Sequence, residues 1–277
     1  MKFTRLFSSV AVAAGLALSL AGCQDKAPEA PAAGAAPKAA VLTIGVSPVP
    51  HADIVNFVAP TLKNQGIEVK VVEFSDYVQP NLSLADKELD ANFFQHKPYL
   101  DEFAESRGLK LESLVAVHIE PMGVYSKSVK KVEDLAEGAK IAIPNDPTNG
   151  GRALKVLETA GLIKLKADAG ILATPNDIVE NPKKLSFLEI EAAQLPRALD
   201  DVAAAVINSN FALGANLNPT KDAIAIESKD SPYANIVAIR AGESNREDLQ
   251  KLKAVLTSPE VKKFLEDKFQ GSVVPAF

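Results

Sequence analysis

The stretch Pro144-Asn145-Asp146-Pro147-Thr148-Asn149-Gly150-Gly151-Arg152 gathers groups suited to holding a small anion. Asn145 through Asn149 is turn chemistry, and the paired glycines let a backbone approach closely. The run opens a helix, with Arg152 expected in its first turn. A helix N-terminus offers unpaired N–H groups and positive partial charge. An arginine beside it takes a carboxylate through two parallel hydrogen bonds. A second group, Val206-Ile207-Asn208-Ser209-Asn210, closes a strand with amides that both donate and accept, as a zwitterion requires. Segments 76–81 and 90–99 set Tyr77, Phe93, Phe94, His96 and Tyr99 beside turns, where rings can line an apolar pocket. If 93 and 94 are extended, Phe93 and Phe94 point to opposite faces, so only one of them meets a given ligand.

Other chemistries lack support. No Gly-x-Gly-x-x-Gly or Walker-type loop is present, so nucleotide binding is not expected. No Gly-x-Ser-x-Gly elbow marks a hydrolase. His51, His96 and His118 are far apart and lack the spacing of a helical zinc site, so neither metal nor cofactor is expected. Without a nucleophile–base constellation the chain reads as a binding protein rather than an enzyme. The net charge of -5 argues against a nucleic-acid partner, which would need a basic face.

The elements that must position these residues alternate. Short apolar or period-two runs predict strands at 41–46, 67–74, 111–119, 139–143, 186–190, 202–207 and 234–239. Helices are predicted at 51–65, 97–107, 132–136, 148–160, 193–200 and 259–269. Gly66, Gly108 and Gly161 stop three of them, Pro60 is expected to kink the first, and Ser258-Pro259 starts the last. Such alternation implies α/β architecture with mostly parallel sheets. In open α/β sheets ligands settle outside the carboxyl ends of strands. The double run of units suggests two lobes, joined near 121–126 and 231–240.

The first 22 residues form a secretory signal: Lys2 and Arg5, a short apolar middle, then Leu20-Ala21-Gly22. Cys23 follows at once and is the only cysteine, so cleavage before it and acylation of its sulfur are expected. No thiol then remains for a disulfide. Residues 24–40, rich in Ala and Pro, read as a semi-extended leash reaching at most roughly 50 Å. The body is expected in the cell envelope, tethered through Cys23 to membrane lipid and facing the periplasm or exterior.

Several motifs in one order resemble the methionine-binding lipoproteins of the NlpA type, the external components of methionine ABC importers. They are Gly45-Val46-Ser47-Pro48-Val49-Pro50-His51-Ala52, Phe74-Ser75-Asp76-Tyr77-Val78, Asp90 through Leu100, Pro144 through Asn149 with Gly151-Arg152, Gly161 through Leu165, Gln194-Leu195-Pro196-Arg197, Val206-Ile207-Asn208 and Ser231 through Asn235. The resemblance implies a two-lobed periplasmic-binding-protein fold of type II-like form. Each lobe would be a mixed, mostly parallel sheet flanked by helices, with two hinge crossovers. Lobe 1 would comprise 41–121 and 236–277, and lobe 2 would comprise 122–235. It implies an L-methionine site in the cleft, a permease partner in the membrane and a monomeric chain. By matching positions Arg152 resembles the carboxylate clamp, and Asn149, Asn208 and Asn235 resemble contacts to the amino-acid head. Tyr77, Phe93, Phe94 and His96 resemble walls around the side chain. Phe211 departs from the tyrosine and Phe277 from the tryptophan common in relatives. Another small amino acid, a methionine dipeptide, or a surface lipoprotein acting as an adhesin are the alternatives.

Overall fold

The computed structural model describes residues 40–277. The signal, Cys23 and nearly all of the leash, being residues 1–39, lie outside the described residues. The chain enters as β1 (Ala40–Val46), turns through Pro48–Ala52 into α1 (Asp53–Asn64), and returns as β2 (Ile67–Glu73), parallel to β1. Gly66 makes the turn with φ of 81°, a conformation side chains disfavour. Then come α2 (Gln79–Ala85), β3 (Ala91–His96), α3 (Lys97–Arg107) and β4 (Leu111–Ile119).

The chain next crosses to a second sheet. Its elements are β5 (Gly123–Tyr125), β6 (Lys140–Pro144), α4 (Pro147–Thr159), a small ribbon of β7 (Lys164–Leu165) and β8 (Ile178–Glu180), β9 (Ser186–Ile190), α5 (Leu195–Ala198), β10 (Ala204–Ile207), α6 (Ser209–Gly214) and β11 (Ala225–Ile226). A second crossing leads into β12 (Ala234–Arg240), followed by α7 (Glu247–Leu256), α8 (Pro259–Phe269) and β13 (Val274–Pro275). The first sheet runs β13-β4-β12-β3-β1-β2, and the second runs β11-β5-β10-β6-β9. These sheets are the centres of two lobes.

Parallel pairing does not dominate, contrary to the sequence expectation. Pairs β1–β2, β1–β3, β6–β10 and β6–β9 are parallel, while the five other pairings in the two large sheets are antiparallel. Four of the five come from the crossings, because β5 and β12 arrive from the other lobe and lie against their neighbours in the opposite sense; the fifth is the short C-terminal β13 against β4.

Each lobe has its own apolar centre. In the first, Leu42, Ile44 and Val46 of β1 pack with Ile54, Val58 and Leu62 of α1 and with Leu252 and Val261 from the C-terminal helices. In the second, Ile141, Ile143 and Val206 meet Leu154 and Leu157 of α4. Burying one such side chain is worth ~1.5–3 kcal/mol. α1 continues through Pro60 rather than ending at it. α3 is capped at its start by His96, whose Nδ1 accepts the Tyr99 N–H, and at its end by Gly108 in the left-handed conformation. α8 begins as expected, with the Ser258 hydroxyl accepting the Val261 N–H.

Candidate functional site

The C-terminal end of β3 faces the second lobe. Phe94, Gln95 and His96 border a cavity there, together with Tyr77, Tyr99, Glu120, Asn149, Arg152, Asn208, Ser209, Asn210 and Asn235. Phe93 does not border it. Strand alternation turns its ring into the first lobe's core, edge-on to His51 at 4.7 Å and to His118 at 5.2 Å. Phe93 is therefore a packing residue, and the expectation that it forms a wall is corrected. Phe94 instead joins Tyr77 and Tyr99 in an aromatic cluster with ring centres 5.8–6.1 Å apart.

At the mouth of α4 the chain caps itself. The Asp146 carboxylate accepts the Asn149 N–H, and both of its oxygens accept from Asn149 Nδ2 at 3.0 Å. The free helix N-terminus expected from the sequence is thus occupied by an internal anion, whose pKa burial raises. Asn149 is a bracket between elements. Its Oδ1 receives Asn208 Nδ2 at 2.8 Å and His96 Nε2 at 3.1 Å. Because His96 Nδ1 accepts from Tyr99, the proton of its neutral ring sits on Nε2. Burial, and then the neighbouring Arg152, lower the pKa of His96 to about 3. The close approach at Gly151 is also internal: a Cβ there would lie 2.3 Å from the Ile171 carbonyl oxygen.

Arg152 lies in the second turn of α4, one turn deeper than expected, and is 2% exposed. Its Nε donates to Glu227 Oε1 at 3.0 Å and its Nη2 to Glu227 Oε2. Nη2 also donates to the Glu120 carbonyl at 2.8 Å, and the guanidinium lies 4.4 Å from the Tyr233 ring centre. The two-bond edge that the sequence reading assigned to a ligand is therefore held by Glu227. Three of five N–H donors are engaged, which leaves the two on Nη1.

Facing this cation is an acid. Glu120 Oε1 accepts His118 Nε2 at 2.8 Å and has His51 Nε2 at 3.3 Å. His51 Nε2 also lies 3.0 Å from Asn235 Oδ1. Burial lowers His51 to about 4, against the pull of Glu120, and lowers His118 to about 3. Burial raises the pKa of Glu120. The ligating atoms of His51, His118 and Glu120 lie within 4.8 Å of one another, close enough for a cation. A metal-bound imidazole ordinarily donates its other N–H to a partner. Nδ1 of both rings is buried and unpartnered, so hydrogen bonding between neutral imidazoles and the carboxyl accounts for this trio better. A bare ring acceptor among apolar groups costs less than an orphaned donor.

Among the atoms of the cavity-lining residues another lacks a partner. Asn208 Oδ1 is sealed from solvent and accepts nothing. Such an atom costs ~1–3 kcal/mol unless a donor arrives. The cavity thus combines a cationic donor, a carboxyl, an unsatisfied carbonyl oxygen and aromatic walls. Of the sequence-selected residues, it collects Tyr77, Phe94, His96, Tyr99, Asn149, Arg152, Asn208, Asn210 and Asn235. Sequence reasoning missed Glu120, Gln95 and Ser209. An acid ending an apolar strand just before Pro121 was the available signal for Glu120; Gln95 and Ser209 lay within the segments 90–99 and 206–210 but were given no role there.

Direct bonds between lobes nearly close the space. Besides His96–Asn149, Tyr77 donates to Asn210 Oδ1 at 2.5 Å. The cavity that remains is ≈ 20 Å³, about what one water needs.

Residues 42–277 match the family described as NlpA lipoprotein. A probable D-methionine-binding lipoprotein MetQ of Vibrio cholerae is 45% identical over 275 residues, covering 99% of each chain. A nutrient-binding protein of Burkholderia cenocepacia, solved bound to methionine, is 52% identical with a TM-score of 0.83. That match covers 85% of this chain and 100% of the other. An ABC transporter periplasmic substrate-binding protein of Coxiella burnetii is 44% identical with a TM-score of 0.81, covering 85% and 100%.

Proposed function

The chain belongs to the NlpA lipoprotein family, and from that premise we propose that it captures methionine between its lobes and delivers it to an ABC importer. The observation that carries this reading is the convergence on one cavity of the Arg152 guanidinium, the Glu120 carboxyl and the unpartnered Asn208 Oδ1. An α-carboxylate meets the Nη1 donors of Arg152. The ammonium meets Asn208 Oδ1 and Glu120. Asn235, whose oxygen is turned to His51, offers its Nδ2 to the head. The thioether lies against Tyr77, Phe94 and Tyr99, where each sulfur–aromatic contact adds ~0.3–1.5 kcal/mol.

A space for one water does not admit methionine, so entry requires the lobes to part about the two crossings. The ligand bridges both walls and so favours closure. His96 and Asn149 act as brackets that keep the walls in register. Lipid attachment through Cys23 holds the monomeric body at the extracytoplasmic face of a membrane, within reach of a permease. Among the described residues no helix is long and apolar enough to cross a membrane.

Calorimetry with L-methionine, D-methionine, other amino acids and methionine dipeptides tests the reading. Methionine is expected to bind most tightly. At 100 times Kd it should add about 2.7 kcal/mol of stability. Absence of binding and of thermal stabilisation by any of these ligands would leave a surface lipoprotein without a transport role.

A further inference from the structure

We propose that Glu227 is a positioning residue that selects which face of Arg152 a ligand carboxylate meets. The proposal rests on the methionine reading above. Glu227 sits 75 residues from Arg152, just beyond β11, in the second crossing between the sheets. It is itself fixed: Oε2 accepts the Met122 N–H at 3.1 Å, Oε1 accepts the Ser231 hydroxyl at 3.3 Å, and its own N–H donates to the Met122 carbonyl at 2.9 Å. Met122 belongs to the first crossing. The carboxylate therefore joins both crossings to one guanidinium on α4. The Glu120 carbonyl and the Tyr233 ring add a bond and a stacking contact from the same two segments.

With Nε and Nη2 consumed, a ligand carboxylate is confined to Nη1. Recognition is then by one nitrogen held at a set angle. A free arginine fork would instead swing to meet an anion in several poses, and losing the internal partner would leave a buried cation to find others. Arg152 without Glu227 should hold its charge but lose its aim.

The test uses the full chain with L-methionine and L-methioninamide, which keeps the ammonium and thioether but lacks the anionic carboxylate. The quantity read is the ratio of the two dissociation constants. In the unaltered protein it should be large. Glu227→Ala should reduce it at least tenfold, by weakening methionine while leaving methioninamide within about threefold. Glu227→Gln, which keeps one acceptor, should fall between. If Glu227→Ala does not fold by circular dichroism, the Gln variant alone decides. An unchanged ratio with both ligands weakened equally would make Glu227 merely structural. A raised ratio would make it a competitor for Arg152. Either result overturns the proposal while the methionine reading stands. Failure of the unaltered protein to bind methionine overturns that reading instead.

Discussion

On the α4 side of the cavity, a buried cation is met by a full internal countercharge. Arg152 is paired with Glu227 and still has donors to spare, because a guanidinium carries five. On the side of β4 and β12, Glu120 is met by neutral imidazoles. His118 and His51 approach its carboxyl oxygen without bringing a charge of their own at neutral pH. The guanidinium therefore has its charge compensated and keeps directional bonds, while the carboxyl is bonded by neutral imidazoles and feels the charge of Arg152 only through space. If methionine is held as proposed above, the contrast separates two tasks: geometry at Arg152 orients its carboxylate, and Glu120 and Asn208 attract its ammonium.

Removing the cation should have the largest effect. Arg152→Ala strands Glu227 in a nearly buried site, and breaking such a pair costs ~3–5 kcal/mol. Methionine affinity should fall below detection in calorimetry, and the urea midpoint should drop. Retained affinity would show that the two walls do not divide the ligand's charges.

Acid should act next, chiefly through the histidines. His51 falls to about 4, and His96 and His118 to about 3, from 6.5. Below pH 6.5 the unfolded chain takes up protons that the folded chain refuses. Stability therefore falls as pH drops toward 4, by at most about 1.4 kcal/mol per pH unit per histidine. Glu120 and Asp146, raised by burial, act in the opposite sense and offset part of this loss. Carboxyls held low by their hydrogen-bond partners, Glu158, Asp177, Glu243, Glu260 and, against its burial, Asp248, lose stability in the same sense as the histidines, so a net fall is predicted, measured as urea midpoints at pH 7, 5.5 and 4.5. A midpoint that rises on acidification would put Glu120 and Asp146 in control.

The smallest expected effect sharpens the contrast. Glu120→Gln keeps an acceptor for His118 but removes any negative charge. Affinity for methionine should drop about 10- to 100-fold, the worth of a charge-assisted bond of ~1.5–3 kcal/mol. Affinity for an analogue lacking the ammonium should be unchanged. Equal losses for both ligands would mean that Glu120 only supports the fold.

Much of the fold was legible because its signals are short-range. α4 begins at Pro147 behind an aspartate cap, and α3 stops at Gly108, as local rules require. β3 was not legible. It carries Asn92 and Gln95, yet all six residues are buried between β1 and β12. Its polar groups are satisfied by Asn81 through amide–amide bonds of 2.7–2.8 Å, which no apolar pattern announces. The same limit applies at the site. Arg152 and the aromatic rings stood out by type, but Glu227 looked like any surface acid.

The sequence alone determined the local pieces: caps, glycine turns, strand alternation, and the residue types able to grip an amino acid. These follow from interactions within a few positions along the chain. Only the tertiary structure decided that Phe93 turns inward and that Glu227 takes the fork of Arg152. Only it brought His51 to Asn235, 184 positions away. Such partners are chosen by which atoms packing brings together in a space that excludes water, and one-dimensional spacing does not encode that proximity.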